Sequence, residues 1–227
     1  MAIAPDVVER LAAVRARIAE AAAAAGRRPG EVTLLPVSKT HPVEDIADFS
    51  RLSGIRSFGE NRPQELAAKA VTYPHLDWVL IGPLQRNKAG LVAAHASQFQ
   101  ALDSLRVAEA LDRQLQALGR SLDVMIEVNT SGEPAKHGVP PADALTLARN
   151  LAPYASLKPI GLMTLAAQGE EPQVRGCFRA LRTVQSQLRD NGHDWPSLSM
   201  GMSNDYVWAI EEGSTMVRLG TAIFGPR

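Results

Sequence analysis

Cysteine is almost absent from this chain of 227 residues, and its single thiol, Cys177, excludes an intrachain disulfide framework and a thiolate zinc site. It falls in the helical pattern Val174, Cys177, Phe178, Leu181, Leu188 and reads as packing. The histidines, His41, His75, His95, His137 and His193, form no pair at ligand spacing, so no protein-built metal site is expected. The formal net charge is zero, which leaves no basic field to draw nucleic acid or an anionic membrane. Long apolar runs are missing too. Glu9, Arg10, Arg15, Arg17 and Glu20 interrupt the Ala-rich beginning of the chain, so neither a signal nor a membrane segment is expected there and the protein is expected in the cytoplasm. Low-complexity segments, internal linkers and sequence repeats are also wanting. Lysine is scarce: of 24 Lys and Arg only Lys39, Lys69, Lys88, Lys136 and Lys158 are lysines, so each lysine position is informative.

What is present is an alternation. Val7, Leu11, Val14, Ile18, Ala21 and Ala25 repeat at helical spacing and define an amphipathic helix ending near Gly26, within a segment 1–28 expected to pack on the rest of the molecule. Beyond it, short β-branched runs alternate with longer helical patterns, the signature of a parallel sheet with helical crossovers. Strands are expected at 32–37, 55–58, 78–81, 99–102, 124–128, 159–163, 198–202 and 215–219. Helices are expected at 43–52, 63–71, 89–95, 105–118, 141–151, 172–191 and 204–212. This pattern predicts an α/β fold, a (β/α)8 TIM barrel with an additional N-terminal helix, as a single domain over 1–227, because a barrel of ~250 residues leaves no room for a second domain. An open doubly wound sheet is the other architecture the alternation allows, but no G-x-G-x-x-G follows the first strand.

In such a barrel the chemistry gathers at the C-terminal ends of the strands. Those ends read Ser38-Lys39, Glu60-Asn61, Gln85, Asp103-Ser104, Asn129-Thr130, Thr164, Ser203-Asn204-Asp205, and Arg218 followed by Gly220-Thr221. Ser203 or Asn204, and Asp103 or Ser104, are equally suited to helix caps. Lys39 closes the first strand just ahead of Pro42, which suits the first turn of a helix. A partly desolvated lysine amine forms a Schiff base with an aldehyde, which a guanidinium cannot do; a solvated loop lysine is the alternative. Arg218 alternates with Val217 and Leu219, so it points into the barrel mouth if those two face the helices. An unpaired buried charge costs several kcal/mol, so either a ligand or Glu127, which shares a strand face with Met125 and Asn129, has to meet it. The turns Gly201-Met202-Ser203-Asn204 and Leu219-Gly220-Thr221-Ala222 suit a phosphate, by their exposed N–H groups, their hydroxyls and their place after strands seven and eight. The first and eighth strands become neighbours on closure. Amine, guanidinium and phosphate cradle then converge on one mouth, a site for a phosphorylated aldehyde.

The strings Val37-Ser38-Lys39-Thr40, Phe58-Gly59-Glu60-Asn61, Ile81-Gly82-Pro83-Leu84-Gln85, Asn129-Thr130-Ser131-Gly132-Glu133, Gly161-Leu162-Met163, Leu198-Ser199-Met200-Gly201-Met202-Ser203 and Ser214-Thr215-Met216-Val217-Arg218-Leu219-Gly220-Thr221 cover nearly the whole chain in order. Together they resemble the pyridoxal phosphate homeostasis protein family. The resemblance implies the barrel fold of bacterial alanine racemase, binding of pyridoxal 5′-phosphate (PLP), and no established catalytic reaction. It further implies a Schiff base on Lys39, Arg218 facing the pyridine nitrogen, Ser203, Gly220, Thr221 and Ser199 at the phosphate, and Asn61 and Met163 beside the ring. Two positions depart from the family pattern. Glu127 stands where many relatives carry Gln, which alters the charge balance around Arg218, and Val79 stands where many carry His, which alters the site wall. Lys136, in the loop after strand five, reads as a solvated charge outside the site.

An Arg at the pyridine nitrogen keeps that atom unprotonated and weakens the cofactor as an electron sink, which fits a carrier or a racemase. A two-base racemase needs a further acid or base, supplied in the alanine racemase fold by a tyrosine from an additional β domain. Here Tyr73, Tyr154 and Tyr206 fall at no strand end, and the sequence stops at Arg227 soon after the last strand. The expected function is therefore PLP binding without catalysis, to buffer or deliver the cofactor in vitamin B6 homeostasis. An amino-acid racemase of the alanine racemase type is the alternative, and a PLP-free Schiff-base aldolase a third reading. The expected partners are PLP, apo PLP-dependent enzymes and free amino acids, with the protein a monomer or weak dimer.

Overall fold

The computed structural model describes residues 6–225, so the ends of the expected 1–28 and 1–227 segments lie outside the described residues. Eight strands, β1 (Thr33–Pro36), β2 (Ser57–Glu60), β3 (Asp77–Leu80), β4 (Gln98–Leu102), β5 (Leu122–Glu127), β6 (Leu157–Met163), β7 (Ser197–Ser199) and β8 (Met216–Leu219), alternate with helices. These are α1 (Asp6–Ala24) in front, then α2 (Val43–Ser53), α3 (Pro63–Thr72), α4 (Ala89–His95), α5 (Leu105–Ala117), α6 (Ala144–Asn150), α7 (Glu171–Asp190), α8 (Tyr206–Glu211) and α9 (Thr221–Phe224). The expected (β/α)8 barrel is the fold found. Its sheet runs β1-β8-β7-β6-β5-β4-β3-β2, all parallel.

The ring is strong at one side of β1 and thin at the other. β1 pairs with β8 in register from Thr33↔Met216 to Pro36↔Leu219. On its other side, β1 meets β2 through the isolated bridge Val37↔Gly59, with the Ser38 N–H donating to the Gly59 carbonyl at 3.0 Å. This nearly closed seam lies directly beneath Lys39.

The elements follow from local chemistry. Strands covered on both faces read as continuous apolar runs, and Val124, Met125 and Ile126 are all fully buried. Helix α7 buries the stripe Val174, Cys177, Phe178, Leu181, Val184 and Leu188, with Cys177 a free, packed thiol. Pro63 opens α3, and Gly54 ends α2 in the left-handed conformation that glycine adopts without a Cβ clash. Helix α1 buries Val7, Leu11, Val14 and Ile18 and packs on α8 and α9. Among the described residues no helix is long and apolar enough to cross a membrane.

Several boundaries differ from expectation by a residue or more, and three of them have a local cause. β2 starts later than 55 and runs through Glu60, because that carboxylate is buried against a cation instead of turning out to water. β7 stops at Ser199, short of 202, because Gly201 takes φ 98° and turns the chain. The stretch 141–151 opens with a 3-10 turn at Pro141–Asp143 before α6. The four-residue α9 was not expected at all, since it is too short to show a period.

A Cβ on Gly161 would lie 2.1 Å from the Ser197 carbonyl oxygen, so β6 and β7 pair only around glycine, whereas a Cβ on Gly176 in α7 meets nothing within 4 Å. Gly161→Ala is expected to lower the urea-unfolding free energy by about 1–3 kcal/mol. Gly176→Ala is expected to raise it by about 0.5–1 kcal/mol, as glycine costs entropy inside a helix. The opposite signs, read from unfolding midpoints, check the packing.

Candidate functional site

A cavity of about 690 Å³ opens at the C-terminal end of the barrel. Six of the eight residues singled out in the sequence, Lys39, Asn61, Ser203, Arg218, Gly220 and Thr221, line it. Met163 and Ser199 are fully buried and do not form its wall. Val79 is buried as well and does not reach it.

Lys39 is gripped through its neighbours. The Ser38 hydroxyl donates to Glu60 Oε1 at 2.6 Å, and Lys69 Nζ donates to the same oxygen at 2.6 Å, to Glu65 Oε1 at 2.9 Å and to the Ser38 carbonyl at 2.8 Å. On the other side, the Thr40 N–H donates to Glu65 Oε1 at 2.6 Å. Thr40 is the one non-glycine among the described residues with a left-handed backbone, at φ 68°. That conformation costs roughly 1–2 kcal/mol, and the Glu65 contact offsets it. Burial pushes the Glu60 carboxyl above its usual range, with Lys69 and Ser38 opposing. At Glu65 burial also pushes up, but the hydrogen bonds from Lys69 and Thr40 win and hold it low. Sequence reading missed this cluster. Its signal was available in the i,i+4 pair Glu65 and Lys69, in a chain that spends lysine sparingly.

Arg218, buried at 3% exposure, donates from NH1 to Ser199 Oγ at 2.7 Å and from NH2 to the Thr164 carbonyl at 2.8 Å. Ser199 Oγ in turn donates to Gln100 Oε1 at 2.7 Å, so both of its contacts serve the guanidinium's setting. Among the described residues no carboxylate lies within ion-pair distance of Arg218. Glu127 acts on it only from a distance, and Glu127 Oε2 is buried without a partner. Burial, then repulsion from Asp103, raises the Glu127 carboxyl to about 7, with Arg218 opposing. Burial lowers Arg218 to about 10, against Glu127 and Asp205. The choice left open in the sequence thus falls against a contact pair, and the guanidinium keeps donors to spare on the cavity wall.

The last two turns form a concave donor surface. The backbone N–H groups of Ser203, Asn204, Gly220 and Thr221, all on the cavity wall, donate to no described residue. Ser203 Oγ accepts from the Ala222 N–H at 3.3 Å, and Asp205 accepts from the Met202 N–H at 2.6 Å, which closes the first turn. A Cβ at Gly201 would come within 2.6 Å of Ala209 Cβ. Asn61 is seated by another glycine, for a Cβ at Gly82 would lie 2.2 Å from the Asn61 carbonyl oxygen.

Part of the wall was not foreseen: the loop after β6, from Leu165 to Gly169, and Trp208. Small and apolar loop residues give no period and no chemical type to flag them. Lys136 departs from its reading as a solvated charge, since its Nζ donates to the Ala166 carbonyl at 2.8 Å and pairs with Glu133 at 2.9 Å, pinning this loop.

Comparison with known proteins fits this geometry. The family model described as alanine racemase, N-terminal domain, matches residues 10–227. The pyridoxal phosphate homeostasis protein of Vibrio alginolyticus is 42% identical over 210 residues, covering 89% of each chain. The chain belongs to the pyridoxal phosphate homeostasis protein family. Among solved structures, PipY of Synechococcus elongatus with PLP bound matches at TM-score 0.82 and 34% identity, covering 96% of this chain and 100% of that one. Alanine racemase of Clostridium difficile matches at TM-score 0.79 with 14% identity, a likeness of fold in which this chain spans 58% of the racemase.

For this member of the pyridoxal phosphate homeostasis family, Glu127 carries a pH signature. Its folded pKa of about 7 stands above the ordinary 4.5, so the folded state binds the proton more tightly and stability falls as pH rises from 4.5 through 7. Glu127→Gln removes this loss. The variant is expected to gain about 3 kcal/mol on the parent between pH 4.5 and pH 8, read by urea unfolding at both; an equal difference at the two pH values would contradict the assignment.

Proposed function

We propose that this chain holds PLP at Lys39 and buffers or delivers it, with no turnover of its own. The observation that carries this reading is the meeting, in one cavity, of a lysine amine, a buried guanidinium with spare donors and four unpartnered backbone N–H groups. Each answers one group of the cofactor: aldehyde, ring nitrogen, phosphate. The similarity to a pyridoxal phosphate homeostasis protein and to a PLP-bound structure supports the same reading. When bound, PLP supplies an aldehyde that condenses with amines and a ring that draws electrons.

The chain's residues then divide the work. Ser203 and Thr221 hydroxyls and the N–H groups of the two turns would hold the phosphate. Arg218 would donate to the ring nitrogen and would keep its own proton, since its pKa of about 10 remains well on the basic side. An unprotonated ring nitrogen draws electrons weakly, which suits storage better than carbanion chemistry. Ser199 acts through Arg218 and not on the phosphate, because both of its contacts are taken by Arg218 and Gln100. Asn61 lines the wall beside Lys39, and Met163 backs the wall from within the barrel. None of Tyr73, Tyr154 and Tyr206 lines the cavity, so it offers no tyrosine as the second base of a racemase. Apo-enzymes that use PLP and free amino acids are the partners this reading implies, in the cytoplasm.

Adding PLP is expected to produce a visible absorbance band that Lys39→Ala abolishes. Arg218→Leu is expected to weaken retention about 10- to 100-fold, the loss of a charge-assisted hydrogen bond. With an amino acid in heavy water, no steady α-proton exchange is expected. Steady exchange that depends on Lys39 would establish the racemase instead.

A further inference from the structure

A second cavity, of about 660 Å³, lies between the 3-10 turn Arg86–Lys88 that follows β3 and helix α5 that follows β4. It shares no lining residue with the first. Arg86, Arg106 and Arg113 line it, with Gln85, Asn87 and Glu109. On α5, Arg106, Glu109 and Arg113 fall on one face, at spacings that allow Glu109 to pair with either arginine. Neither pair forms within 4 Å among the described residues. Arg175 shows the contrast, with its guanidinium paired to Glu171, Glu211 and Glu212. The described arginines whose side chains contact no described partner are Arg62, Arg86, Arg106, Arg113 and Arg189, and three of them share this cavity.

Arg86, Arg106 and Arg113 are all exposed, so their mutual repulsion is softened by water, yet a single carboxylate neutralises at most one of them. An oxyanion resolves the repulsion. A phosphoryl group presents oxygens in tetrahedral directions, so guanidiniums arriving from two separate elements each find one; a carboxylate offers two oxygens in a single plane. We infer that this cavity binds a small phosphorylated anion with two or more negative charges, of the diphosphate or nucleotide kind.

The test is calorimetric titration of pyrophosphate into the full chain saturated with PLP. Saturable binding at one site is expected, weakened by salt. Arg106→Gln with Arg113→Gln is expected to weaken it at least ~10-fold, as the loss of charge-assisted bonds requires, with the melting temperature unchanged because both side chains are exposed. Arg189→Gln, an exposed arginine on α7 that lines neither cavity, is expected to leave it intact, and acetate is expected to bind at least ~10-fold more weakly because it brings one charge and two coplanar oxygens. Absence of saturable binding, indifference to the Arg106 and Arg113 substitutions, loss in Arg189→Gln, or acetate binding as tight as pyrophosphate would each overturn the inference.

Discussion

Lys69, buried in α3 against Glu60, Glu65 and the Ser38 carbonyl, is the contact on which the barrel mouth depends. It crosses the β1–β2 seam at the place where the backbone contributes a single bridge. Taking an ammonium and a carboxylate out of water costs several kcal/mol each, and their attraction with the added hydrogen bonds does little more than recover it. The pair therefore contributes position more than stability. It fixes Ser38 directly and Thr40 through Glu65, so Lys39 stands between two residues that are each held by a hydrogen bond.

The opposite side of the mouth is built on the strong seam. The four-residue ladder between β1 and β8 sets Arg218 on the strand next to Lys39, and Ser199, Thr164 and Gln100 hold its guanidinium with neutral groups. Glu127 stays out of contact and, with its carboxyl near 7, carries only part of a charge at neutral pH. The guanidinium's charge is thus left for a ligand. A contact ion pair with Glu127 would have satisfied it within the protein and closed the site to an acceptor.

What the sequence disclosed and what it hid divide along a physical line. Parallel strands buried on both faces are apolar runs, and barrel topology puts their C-terminal ends at one mouth, so Lys39, Arg218 and the Gly220–Thr221 turn were legible from order alone. Contacts that join different elements through polar side chains were not. Glu60 looked like loop polarity until Lys69 was seen to meet it, and nothing in the sequence tied the Ser199 hydroxyl to Arg218 and Gln100, which share it. Lys136 looked solvated because, besides the neighbouring Glu133, its partner is the Ala166 backbone carbonyl, which no residue type announces. The arginines around α5 offered a helical ion-pair spacing, and only the structure shows the pairs unmade.

The account stands or falls on which amine the mouth presents. Loading the protein with PLP, reducing it with borohydride and mapping the pyridoxylated peptide by mass spectrometry reads this directly. The account predicts stoichiometric modification of Lys39, with Lys69 and Lys136 untouched because their ammonium groups are held in ion pairs. Modification centred on any other lysine would contradict it.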